Sequence, residues 1–135
     1  MIFVDTGAFL ARYIRQDSLH RRAKRTWAEI ARSRTRCFTS NFVLDETITL
    51  LGRRSSYAFA AERASVLLSS QALTILRPDA EDEIRAVDLL AKFADQQVSF
   101  TDCISFVLMR RHRLQRAFTF DRHFSIAGFE VTPKR

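Results

Sequence analysis

Four times along this chain a short apolar run gives way to a stretch whose apolar residues recur at three- and four-residue steps, and no tight-turn signal such as Asn-Gly joins two runs directly. "MIFVD" ends in an acid and leads into "TGAFLARYIRQ", where Phe9 pairs with Tyr13 and Leu10 with Ile14 at helical spacing. A second helix is expected from about Ser18, with Leu19, Ala23, Trp27 and Ile30 on its apolar side. "RCFTS" reads as the next strand, and Ser40 or Asn41 can cap the helix "FVLDETITLLGRR", which should end around Gly52. A fourth helix runs from Ser55 or Ser56 to about Ser70. "ALTILRP" is the third strand, stopped by Pro78, and a fifth helix from Ala80 to Ala94 places Ile84, Val87, Leu90, Ala91 and Ala94 on one side. "SFTDCISFVLMRRHR" is the sixth helix, "QRAFTFD" the fourth strand, "RHFSIA" a short helix and "GFEVTP" the fifth strand. Strands kept apart by helices cannot pair as hairpins, so the pattern predicts one α/β domain over residues 1–135 with a mainly parallel sheet.

That architecture decides the meaning of "DTG" at 5–7. The same tripeptide marks retroviral-type aspartic proteases, which are almost wholly β, carry strand and loop sequence ahead of it and need a glycine-rich flap. Here four residues precede Asp5 and the whole chain has three glycines, which excludes the protease. Cys37 and Cys103 lie far apart in apolar runs and read as reduced core thiols rather than a disulfide or a zinc site. "IFV" is too short for a signal peptide or a membrane span, so the expected location is the cytoplasm. Basic residues outnumber acids 22 to 15, for a net charge of +7, and crowd into "HRRAKR" and "RRHRLQR". Such runs are either solvated helix faces or a surface that attracts nucleic acid.

The acids sit at the ends of elements. Asp5 ends the first strand and Asp121 the fourth, Glu46 lies in the first turns of the helix after the second, and Asp102 opens the sixth helix. Ligands of a parallel sheet bind outside the carboxyl ends of its strands, near the switch in strand order. Chain order alone therefore brings three of these acids to one edge, and Asp102 joins them if its helix begins there. Each also has a bland reading: Asp5 and Asp121 stand where helix caps stand, and Ser99-Phe-Thr-Asp102 has the spacing of a capping box. Glu46 and Asp45 fall on opposite borders of the apolar arc of Val43, Leu44, Thr47, Ile48, Leu50 and Leu51, and periodicity does not choose between them. Gathered carboxylates repel one another unless a cation is present. Mg²⁺ or Mn²⁺ suits oxygen ligands, one ion or a pair, and a basic protein with one acidic cleft fits a nuclease that meets phosphate through metal.

"MIFVDTGAFLARYIRQDSLH", "TSNFVLDETITLLGRR", "VSFTDCISFVLMRRH" and "AFTFDRHFSIAGFEVTP" together resemble the successive motifs of PIN-domain proteins, in particular the VapC-type toxins of bacterial and archaeal toxin–antitoxin pairs. The resemblance covers nearly the whole chain in order. It implies a three-layer α/β/α domain with a five-stranded sheet ordered 3-2-1-4-5, and it maps the family's acids onto Asp5, Glu46, Asp102 and Asp121, preferring Glu46 to Asp45. It further implies a Mg²⁺- or Mn²⁺-dependent endoribonuclease, a homodimer, and a VapB-like antitoxin as partner. Thr6, Ser40, Thr101 and Thr119 stand beside those acids as hydroxyls that orient carboxylates or water. One departure is His123, where some relatives carry a further acid or Asn after the last Asp.

The expected reaction is in-line attack of an activated water on an RNA phosphodiester, with metal held by Asp5, Asp102 and Asp121 and with Glu46 completing the coordination or accepting the proton. Two other readings compete: an RNA-binding PIN module without turnover, and a PIN nuclease of RNA processing or of DNA with no antitoxin. Arg12, Arg15, Arg53 and Arg54 flank the expected edge as phosphate contacts. His20, His112 and His123 have no spacing that sets two on one helix face, and of these His123 alone lies close to an acid of the set. The twelve phenylalanines, like Trp27, are read mainly as core.

Overall fold

The computed structural model describes residues 1–134; Arg135, the last residue of the expected domain, lies outside them. Five strands, β1 (Ile2–Val4), β2 (Cys37–Ser40), β3 (Leu73–Leu76), β4 (Arg116–Phe118) and β5 (Glu130–Thr132), form one sheet ordered β3-β2-β1-β4-β5. Every pairing is parallel, with Phe3 opposite Phe38 on one side and opposite Ala117 on the other. The order is the one the family resemblance implies, and the α/β reading of the strand and helix pattern holds.

Two helices follow β1, α1 (Thr6–Tyr13) and α2 (His20–Ser33), and two follow β2, α3 (Asn41–Arg54) and α4 (Tyr57–Ser69). After β3 come α5 (Ala80–Lys92) and α6 (Phe100–Arg111), and α7 (His123–Ile126) joins β4 to β5. The chain moves outward through β2 to β3, then crosses back to β4 and continues the other way. Right-handed crossovers therefore place α1 to α4 on one face of the sheet and α5 to α7 on the opposite face. Between them lies a core built on β1, whose three residues are fully buried, and on α6, buried from Asp102 to Met109. Phe3, Phe9, Phe106, Phe118 and Phe124 are fully buried, and Trp27 packs between Phe9 and Phe118 while its indole N–H donates to the Ala8 carbonyl. Cys37 and Cys103 are buried free thiols. No helix among the described residues is long and apolar enough to cross a membrane.

Three local expectations are corrected. Helix α1 stops at Tyr13 rather than near Gln16: Ile14 leaves the helix to pack with Leu10, Leu51 and Ala60, and the Asp17 carboxylate accepts the Leu19 amide to turn the chain into α2. Strand β4 stops at Phe118, so Asp121 belongs to the turn before α7 and not to the strand end. On α5 the inward side carries Asp82, Ala86, Leu89 and then Phe93, while Ile84 and Val87 are 64% and 53% exposed. Apolar spacing exists on both sides of that helix, and the buried one contains a carboxylate that a hydrophobicity pattern discards.

Candidate active site

Strands β1 and β4 are neighbours, yet the chain leaves them in opposite directions, so the crevice beyond their ends is the switch point of the sheet. Asp5 follows β1 directly, and its amide extends the ladder by donating to the Phe118 carbonyl at 3.0 Å. Although Asp5 occupies the position before α1, its side chain caps nothing there; Oδ2 accepts instead from the Thr119 hydroxyl at 2.8 Å. The same hydroxyl accepts the Asp121 amide at 3.0 Å, so one buried threonine fixes the approach of two acids.

Asp102 stands in the first turn of α6, where the Ser99 hydroxyl accepts its backbone amide but its own carboxylate does not return the bond. Half of the capping box is present, and the carboxylate is free. Asp121 does serve the backbone, its Oδ1 accepting the His123 amide at 2.9 Å. Glu46 is half-buried on α3 while Asp45 is exposed, and it is the Glu46 charge that bears on both Asp5 and Asp102.

The electrostatics follow from this crowding. Burial pushes the Asp5 carboxyl up to about 6, against the opposing pull of the Thr119 hydroxyl and the Thr6 amide, and the charges of Asp121 and Glu46 add to the rise. Burial likewise raises Asp102, to about 9, with Asp5, Asp121 and Glu46 all disfavouring its charge and with Asp121 close enough to accept a proton from it. No lysine or arginine is paired with either of these buried acids among the described residues; the His123 ring stands 3.6 Å from Asp102. Around them are buried polar atoms with no hydrogen-bond partner: Thr6 Oγ1 and both ring nitrogens of His123. A cluster of carboxylates with orphaned donors and acceptors beside it fits a divalent ion, which the acids Asp5, Asp102 and Asp121 would hold with Glu46 at the margin.

The sequence pattern leads one to expect four acids at one edge, and in the structure the charges of Asp121 and Glu46 bear on Asp5 and on Asp102; the expectations for their surroundings fit less well. Ser40 caps α3, accepting the Val43 amide at 3.1 Å, and no hydroxyl hydrogen bond among the described residues ties Thr6, Ser40 or Thr101 to a carboxylate. Arg12, Arg53 and Arg54 are exposed in the last turns of α1 and α3 and Arg15 just past α1, about 10 Å or more along the helix axes from the acids. Arg54 is paired with Asp17 at 3.0 Å, and Arg12 lies over the Trp27 ring. Nearer the site is a groove of about 1040 Å³ lined by Thr119, Phe120, Asp121, Arg22, Arg122 and Lys134. Arg22 stacks over Phe120 there, 5.5 Å from the ring centre. Nothing in periodicity reveals that α2 and the C-terminal segment meet beside Asp121; the one sequence signal was Arg122, adjacent to the last acid.

The comparisons agree with this geometry. Residues 2–130 match the PIN domain model. The chain is 40% identical to the protein named 23S rRNA-specific endonuclease VapC20 of Mycobacterium tuberculosis, in both strain CDC 1551 / Oshkosh and strain ATCC 25618 / H37Rv, with 99% of this chain and 100% of the relative covered. The crystal structure of Mycobacterium tuberculosis VapC20, described as a sarcin–ricin loop cleaving toxin, superposes with a TM-score of 0.87 at 38% identity over 96% of each chain. With residues 2–130 of the chain matched to the family's model, and with the fold and strand order to go with it, the chain belongs to the PIN-domain family.

Proposed function

We propose that this chain is a divalent-metal-dependent endoribonuclease, the toxin of a VapBC-type pair, and that it cleaves a loop of large-subunit ribosomal RNA. The observation that carries the activity is the meeting of Asp5, Glu46, Asp102 and Asp121 at the switch point of a strongly basic chain. An RNA-binding module without turnover has no use for two buried carboxylates that lack a cation. The ribosomal substrate and the toxin role rest on the likeness to VapC20, which spans both chains almost completely.

In this mechanism a bound Mg²⁺ or Mn²⁺ supplies positive charge to the phosphate oxygens and acidifies water. Asp5, Asp102 and Asp121 provide the carboxylates that hold it, and the Thr119 hydroxyl keeps Asp5 from rotating away. Glu46, less buried and on a separate helix, is placed to take the proton from the attacking water. Arg22, Arg122 and Lys134 along the groove hold backbone phosphates beside the site, while Arg12, Arg15, Arg53 and Arg54 belong to the outer basic surface that gathers RNA. Attack by water leaves a 5′-phosphate and a 3′-hydroxyl.

The test is cleavage of a synthetic sarcin–ricin loop hairpin by the purified chain with Mn²⁺ or Mg²⁺, with EDTA, and after Asp102→Asn. We expect a single cut with metal and none in the other two conditions; equal cleavage in all of them would refute the mechanism. The partners we propose are a VapB-like antitoxin and a second copy of the chain. Co-expression with the neighbouring small gene followed by light scattering of the purified complex checks both.

A further inference from the structure

We infer that His123 is a nitrogen ligand of the metal held at this site, so that the position bounded by Asp102, Asp121 and His123 selects Mn²⁺ and similar transition ions over Mg²⁺. The inference rests on the nuclease reading above and deepens it by assigning a residue whose chemistry differs from that of the acids.

The geometry is that of a ligand cluster. His123 Nδ1 lies 3.0 Å from Asp121 Oδ1 and 3.6 Å from Asp102 Oδ2, and one donor atom from each of the three side chains falls within 4.8 Å of the others. Ligands at right angles about an ion bound at about 2.1 Å stand about 3 Å apart and opposite ones about 4.2 Å, so the 3.0 Å separation equals one edge of a coordination sphere and the 3.6 Å separation falls within its span. The ring is held there by its own backbone, because the His123 amide donates to the carboxylate that its Nδ1 faces.

The second observation is that both ring nitrogens are buried and neither makes a hydrogen bond. Close as Nδ1 is to Asp121, it lacks the alignment of one. Leaving a buried polar atom without a partner costs about 1–3 kcal/mol, and a native protein tolerates it where something else completes the group. His20 shows the ordinary alternative, its Nδ1 2.7 Å from the Ala11 carbonyl, and His112 is exposed. His123 is the histidine directed at acids.

A nitrogen donor changes selectivity in a stated direction. Carboxylates suit Mg²⁺, Ca²⁺ and Mn²⁺ alike, whereas imidazole suits transition ions, and Mg²⁺ sheds water reluctantly. Mixed coordination by two carboxylates and one imidazole therefore favours first-row transition ions over Mg²⁺, Mn²⁺ being the weakest bound of that series and the one a carboxylate-rich site shares with Mg²⁺.

The experiment is pulsed electron paramagnetic resonance of Mn²⁺ bound to the full chain carrying His20→Gln and His112→Gln, which leaves His123 as the one imidazole. We expect imidazole ¹⁴N coupling on the bound Mn²⁺, its loss on adding His123→Asp, and a fall of about tenfold in the ratio of Mn²⁺ to Mg²⁺ affinity measured by competition. If Mn²⁺ binds, is displaced by Asp102→Asn and shows no ¹⁴N coupling, the assignment of His123 is overturned while the nuclease reading stands. If no Mn²⁺ binds at all, both fall.

Discussion

Asp82 and Asp102 occupy the same position in successive helices, three residues past the cap, and both are buried, at 0% and 7% exposure. Around Asp82 the structure closes every account but one: it accepts the Asp79 amide at 3.0 Å in a complete capping box, and Arg111 reaches it at 2.9 Å with Arg85 at 3.7 Å. Around Asp102 the box is left half made, no lysine or arginine reaches it, and the charges that bear on it, from Asp5, Asp121 and Glu46, are all of the same sign, with the His123 ring 3.6 Å away. One carboxylate is buried to hold α5 against α6; the other is buried against the interest of the fold. Burial alone thus says little about an acid's role, and the sign of the surrounding charge says much.

The contrast can be broken most forcefully at Asp102. Replacing Asp102→Asn should lower RNA cleavage by at least about a thousandfold, measured as single-turnover rate on the hairpin. Asp82→Ala should do the reverse, costing about 3 kcal/mol in urea denaturation because Arg111 loses its buried partner, with cleavage by the folded protein unchanged within about threefold. If Asp82→Ala silences cleavage without unfolding, the division between the two acids is wrong.

Titration sharpens it further. Unfolded aspartates ionise near 3.8, whereas Asp5 and Asp102 ionise near 6 and 9 in the fold. Between those values the folded state holds more protons than the unfolded one, so metal-free stability falls as pH rises from about 4 to about 9. Urea midpoints should register a loss of several kcal/mol across that range, about 3 kcal/mol of it from Asp5 alone, reversed by saturating Mn²⁺ and reduced by Asp102→Asn. A flat profile would mean that the acids are not strained. Thr119→Val, which frees Asp5 and the Asp121 amide, should weaken Mn²⁺ affinity and cleavage about tenfold. The smallest effect belongs to Arg54→Ala: its exposed pair with Asp17 should be worth less than about 1 kcal/mol in the same denaturation series.

These two aspartates also show what a sequence conveys. Asp5, Glu46, Asp102 and Asp121 are expected as a group because the sequence reads each at or near an element end and the parallel order brings those ends to one edge; the family motifs then prefer Glu46 to Asp45. The capping alternative was equally legible for Asp5, Asp102 and Asp121, and hydrogen-bond geometry settles it differently for each: no cap at Asp5, half a box at Asp102, a real backbone bond at Asp121. Asp82 was invisible. Its partners lie on α5 itself and at the far end of α6, and without them the stripe of Ile84, Val87 and Leu90 looked like the inward side. Contacts such as Arg22 over Phe120 join segments about a hundred residues apart and leave no periodic trace.

The hydroxyl bond from Thr119 to Asp5 spans 114 residues of chain. During translation β1 emerges well ahead of β4, the strand beside which Asp5 must dock. A growing polypeptide that stops short of β4 therefore contains three of the acids without the scaffold that aligns them. The acids of a nuclease built this way fall into register only when the late strands arrive, a delay imposed by topology alone.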